Sequence, residues 1–160
     1  MKWYFDSIRA RKKLIAACEF REGTPFREGM SKPKAGYDCA HFVRDCFKEA
    51  GIDTSRFDAC PRISLNAGRL SSTSLLIEWL HNIGLSALTR FVGDQPVMCG
   101  DILCIKERLS CIHIALAVSD EWAWHVPANG SVCRIPVSRF RMKDSNYIQS
   151  FYRLKKDYDV

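Results

Sequence analysis

Cys39, in "AGYDCAHFVRDCFKEAG" (residues 35–51), follows a turn at Gly36 and Asp38 and precedes apolar residues at Phe42, Val43, Cys46, Phe47 and Ala50. That spacing is one buried face of a helix, and Gly51 suits its C′ stop. A thiol in a first helical turn lies beside unsatisfied N–H groups and the positive end of the macrodipole. Both favour the thiolate, which is the nucleophile. Such a nucleophile needs a base, and the chain has His41, His81, His113 and His125. His41 falls on a different helix face from Cys39, and His81 sits just past Leu80 on a second helix. His113 lies in "CIHIALAV", where alternate positions Cys111, His113, Ala115 and Ala117 share one strand face. A small-residue face leaves room for the Cys39 helix to lie against it. His125 is in the next strand, where cross-strand pairing brings it near His113. A base oriented by a third polar group is the general logic of nucleophile triads. Taken singly, a helix cysteine is more often core and a strand histidine more often a hydrogen-bonded filler.

These residues need particular elements to hold them. Residues 3–21 read as a helix with Ile8, Leu14, Ile15 and Cys18 on one face. "REGTPFREGMSKPKAG" is a Gly/Pro-punctuated loop leading to Cys39. "SSTSLLIEWLHNIGL" reads as a helix capped by Ser72 or Thr73, with Leu76, Leu80 and Ile83 as its stripe. Beyond it, "DILCIK", "CIHIALAV", "EWAWHV" and "VCRIPV" read as strands of an antiparallel meander, with hairpin loops at Ser119–Asp120 and Asn129–Gly130. "SNYIQSFYRLKK" supplies a last strand. Helices first and strands second predict an α+β fold.

The length of 160 residues suits one domain spanning 1–160, and 47% apolar with 26% charged residues is a soluble composition. The net charge of +6 permits a polyanionic partner, but the lysines and arginines are scattered along the chain. With no basic block interleaved with aromatics, no nucleic acid is expected. No segment reaches the length of a membrane span. The first twenty residues lack a signal peptide's apolar run, which predicts a cytoplasmic protein or one carried out by another device. The eight cysteines contain no C-x-x-C pair, so no zinc site is expected, and most read as reduced, buried thiols.

The chain resembles the NlpC type of papain-like cell-wall cysteine peptidases. "DCAHFV" (38–43) is similar to that family's Asp-Cys-Ser-Gly-Phe-Val motif and leads into a helix ending in "FKEAGI". Gly23–Phe26 is similar to its Gly-Thr-Pro-Tyr, Gly100–Asp101 to its Gly-Asp before a strand, and "HIAL" (113–116) to its His-Val-Gly-Ile. A second histidine twelve residues on matches His125 in "WHVPANG". The resemblance spans roughly residues 20–140. It implies a papain-like fold, with N-terminal helices packed on an antiparallel sheet of about five strands. It also implies a hydrolase cutting peptidoglycan stem peptides near D-glutamate and diaminopimelate, with Cys39 as nucleophile, His113 as base and His125 as orienter. Asp38, Tyr37, Phe26 and Trp124 would contact substrate, Trp122 would line the cleft, and no cofactor or metal is needed. The "GTPFREG" loop looks closest to a phage-tail or prophage branch, with phage tail proteins as partners and delivery to the wall by a phage-type device. Ala40 and His41 replace the family's Ser and Gly, and Phe26 its loop tyrosine, so recognition groups differ where catalytic ones do not. The same residues would serve a papain-like amidase, deamidase or acyltransferase on another amide or ester. A tail assembly module with a vestigial site is the non-enzymatic alternative.

Overall fold

The computed structural model describes residues 2–61, 74–84, 86–107, 110–141 and 146–157. Helix α1 (Ile8–Phe20) begins at Ser7, whose side-chain oxygen accepts from the Ala10 N–H. A separate 3-10 turn, Tyr4–Asp6, precedes it, so the single helix expected over residues 3–21 is broken at the extended Ser7. Within α1 the buried face is Ala10, Leu14, Ala17 and Cys18. Ile8, at the first position and well round the helix from that face, is 64% exposed, while Leu14 and Cys18 are buried as expected.

Helix α2 (Cys39–Glu49) is capped by Asp38 and stopped at Gly51, where φ is +94°. Its Phe42, Val43, Cys46 and Phe47 are fully buried. Phe47 joins a run of ring contacts from Phe5 (5.6 Å) through Phe57 (5.6 Å) to Trp79 (5.8 Å). Trp79 lies on α3 (Leu75–Ile83), beside the expected stripe of Leu76, Leu80 and Ile83. The cap of α3 is Ser74, which accepts from the Ile77 N–H and donates to the Cys111 carbonyl on the sheet. Ser72 and Thr73, the expected caps, lie outside the described residues. No described helix is long and apolar enough to cross a membrane.

A short ribbon, β1 (Ser31–Lys32) with β2 (Gly36–Tyr37), precedes α2. The main sheet contains β3 (Leu88–Val92), β4 (Ile102–Glu107), β5 (Ser110–Ala117), β6 (Trp122–His125), β7 (Cys133–Pro136) and β8 (Asn146–Leu154). Its order is β3-β8-β4-β5-β6-β7, with every neighbouring pair antiparallel. The expected meander is β4 to β7, and the six strands found among the described residues are close to the expected five. β3 is the addition; it pairs only with β8, which enters between β3 and β4.

Helices α2 and α3 cover the face carrying Ile102, Cys104, Ile114 and Leu116; Leu103, Ile105, Ala115 and Ala117 form a second core on the other face. Turns and ion pairs tie the layers together. At Gly100, φ is +89° and the Phe5 ring lies where a Cβ would stand. Asp101, just after it, is fully buried and accepts from Arg153 Nε and Nη2 of β8, both at 2.8 Å.

Candidate active site

Cys39 is the first residue of α2 and is only 4% exposed. The backbone N–H groups of Ile114, the residue after His113, and of Ala40 act on its sulfur in the sense that favours the thiolate. The Ile114 amide is available because β5 and β6 separate early. They pair only at Leu116–Trp124 and Ala117–Ala123, and α2 presents its first turn where the ladder has ended. Across the same split, His113 Nε2 lies 2.9 Å from His125 Nδ1. The His125 ring is held edge-on by Phe140, 5.6 Å away. Nδ1 is thus the nitrogen of His113 left for the thiol.

The expectation that Cys111 and His113 share a strand face does not hold. The β4–β5 register passes from Ile105–His113 to Lys106–Cys111, which leaves Ile112 as an extra, bulged residue. The bulge turns Cys111 to the helix-covered face, with Ile114 and Leu116. His113 stays with Ala115 and Ala117, so α2 does not pack on the small-residue face. Cys39 meets β5 at the strand's open edge instead.

Burial dominates the titration of this group. It pushes the Cys39 thiol up to about 12, and the Ile114 and Ala40 amides pull down without reversing it. The helix terminus therefore does not yield a resting thiolate, contrary to expectation. Burial, and then the neighbouring His125, lowers His113 to about 3, and burial lowers His125 to about 4. At neutral pH the enclosed site is a neutral thiol beside two neutral imidazoles.

Asp38 is buried, and its oxygens are all engaged by the chain itself. Oδ1 accepts from the His41 N–H at 2.9 Å and lies 2.7 Å from His41 Nδ1; Oδ2 accepts from the Gly29 N–H at 2.7 Å. His41, expected on a different helix face from Cys39, lies against the Asp38 cap. Tyr37 is fully buried rather than lining a cleft; its hydroxyl donates to Asp45 at 2.8 Å and accepts from Arg21 Nε at 3.0 Å. Trp124 packs in the core cluster that contains Cys39, and Trp122 is half-buried with the Arg134 guanidinium 4.1 Å from its ring. Phe26 is half-buried. Its N–H donates to the Gly130 carbonyl, binding the Gly23–Phe26 loop to the hairpin that follows His125. All eight cysteines are free thiols, five of them buried. Among the described residues, no three His, Cys, Asp or Glu side chains are grouped to hold a metal ion.

Two solved structures are similar to this chain. The NlpC/p60 domain of the peptidoglycan hydrolase SagA aligns with a TM-score of 0.54 at 21% identity, over 89% of this chain and 97% of that one. The P60 domain of an antigen from M. avium subspecies paratuberculosis aligns with a TM-score of 0.52 at 18% identity, over 95% and 97%. The fold is that of the NlpC/p60 domains. No protein-family model matches the sequence, and no curated protein does. At this identity the likeness carries the arrangement of helices and sheet. The residues of the site are this chain's own.

Proposed function

We propose that the protein is a cysteine hydrolase that cleaves amide bonds in peptidoglycan stem peptides, in the D-glutamate and diaminopimelate region. The observation that carries this reading is the His113–His125 contact, formed next to Ile114, whose backbone amide favours the Cys39 thiolate. The similarity to a domain of a peptidoglycan hydrolase supports the substrate class.

Because thiol and imidazole rest neutral, proton transfer accompanies attack. The Cys39 sulfur bonds to the amide carbon as its proton passes to His113 Nδ1, and the imidazolium so formed is stabilised through Nε2 by His125. His113 then returns the proton to the leaving amine as the C–N bond breaks. Water, deprotonated by the same ring, hydrolyses the thioester. As the first residue of α2, Cys39 has a backbone N–H that the helix ladder does not use, and it is the donor for the oxyanion.

A second reading, a papain-like amidase, deamidase or acyltransferase on another amide or ester, is favoured by the saturation of Asp38. With every oxygen bonded internally, that carboxylate is not a ready receptor for a substrate ammonium group. Mass spectrometry of purified muropeptides after incubation with the protein tests the proposal. Cleavage within the stem, absent with Cys39→Ala, is the expected result. Intact muropeptides alongside turnover of a simple ester would move the assignment to the second reading. No turnover of either would make the domain an assembly module.

A further inference from the structure

Helix α1 violates a local rule. It has no acidic residue in its first turn, yet Arg9, Arg11, Lys12 and Lys13 crowd its N-terminal half, where the macrodipole disfavours cations. Arg9 and Lys13 are also a like-charged pair one turn apart. Neither gains an ion-pair partner among the described residues. Arrangements that oppose local stability are expected where a surface has another use.

Arg9 and Lys13 line a cavity of about 410 Å³, together with Trp3, Tyr4, Gly51 and Lys156. The chain ends build it. The Lys156 N–H donates to the Lys2 carbonyl, and Trp3 bridges to Lys155, so a lysine from the far end of the sequence joins those of α1. A second cavity, of about 360 Å³, shares Trp3 and includes Lys2, Lys155 and Asp157. The other nearby carboxylate, Asp6, is occupied by the N–H groups of Lys2 and Trp3. Gly51 marks the C-terminal end of α2, whereas Cys39 is at its start, roughly 16 Å away for a helix of this length. The two sites sit at opposite ends of one helix.

We infer that this cavity is a docking site for a phosphodiester polyanion without aromatic bases, of the polyol-phosphate type found on bacterial walls. Charge selects a polyanion. The aromatics select against a single-stranded nucleic acid, which needs open ring faces for stacking. Trp3 is already stacked by Lys2 (4.9 Å) and Arg153 (5.3 Å), and Tyr4 packs against Phe5 with its hydroxyl donated to the Ala50 carbonyl. Choosing a wall polymer rests on the peptidoglycan reading above.

The test is titration of the full chain with polyglycerol phosphate and, separately, with oligothymidylate, over a series of salt concentrations. Arg9→Gln/Lys13→Gln/Lys156→Gln should weaken polyglycerol phosphate binding at least about tenfold, and lower the salt slope by roughly 0.7 per cation removed. An equal charge loss at exposed Lys32, Lys34 and Arg139 should do much less. Hydrolysis of soluble muropeptides should be unchanged in both triple variants, so loss of binding and loss of catalysis are read separately. Equal weakening by the two triple variants, tighter binding of oligothymidylate, or no binding at 0.15 M salt would each overturn the inference.

Discussion

Asp38 and Asp101 are both buried carboxylates placed just before an element, and both accept a backbone N–H from a nearby loop. They differ in the side chain that meets them. Asp101 is clamped by Arg153, fifty-two residues away on β8, through two bonds of 2.8 Å. That guanidinium is fixed in charge and stacked on Phe91, 4.6 Å from the ring centroid. Asp38 is met by His41, three residues on, through one ring-nitrogen contact of 2.7 Å. One pair ties distant strands together. The other is local, within the first turn of α2 beside the candidate nucleophile.

The largest separation between the two regions should appear in variants that stop chemistry without harming the fold. Cys39→Ala and His113→Ala should each lower kcat/KM at least about 10⁴-fold, with melting curves close to the parent's. His125→Asn keeps a hydrogen-bonding group and should retain measurable activity, while His125→Ala loses more. An active His113→Ala with a dead His125→Ala would exchange their roles. Arg153→Leu is the counterpart. Removing one member of a buried pair should cost about 3–5 kcal/mol in urea unfolding, while the protein that remains folded keeps its kcat.

Acid should act on the two regions in opposite senses. In the unfolded chain both histidines take up protons near pH 6.5, whereas in the fold His113 waits until about 3 and His125 until about 4. The unfolded state thus binds more protons, and stability falls as pH drops below 6.5. The slope is up to about 1.4 kcal/mol per pH unit for each ring. Burial raises the Asp101 carboxyl against the pull of Arg153, so its contribution strengthens as pH falls through its folded pKa. Urea midpoints from pH 7 to 4 should show the net loss, and His125→Asn should flatten it. The thiol sharpens the same contrast. With Cys39 pushed up to about 12, iodoacetamide labelling at this site should be slow at pH 7 and climb steadily into alkali. A fast plateau at neutral pH would mean a resting thiolate.

A smaller effect is expected at the local pair. Asp38→Asn keeps one oxygen for the N-cap but turns an NH2 toward an N–H that the other oxygen accepted, so it should cost about 1–3 kcal/mol in urea unfolding. His41→Ala should leave the melting temperature nearly unchanged and act on KM rather than kcat. If kcat fell as far as in His113→Ala, His41 would be the base.

Much of this arrangement was legible in the chain because it is local. The period of Phe42, Val43, Cys46 and Phe47, the cap at Asp38 and the stop at Gly51 are settled within one helix, and the structure reproduces them. Strands β4 to β7 were readable for the same reason, since neighbours in sequence are neighbours in the sheet. Other features depend on partners far along the chain. β3 lies far along the chain from its partner, and only pairing with β8 makes it a strand. The single extra residue Ile112 reverses which face Cys111 occupies, and alternation along the strand carries no sign of it. The pKa values follow the same division. A helix start argues for a thiolate, but enclosure by β5 and the helix-side core removes water from the sulfur, and desolvation outweighs the dipole. Residue types and local periods specify which groups are available; burial and register, set only when distant strands pair, specify their charge and which of them meet.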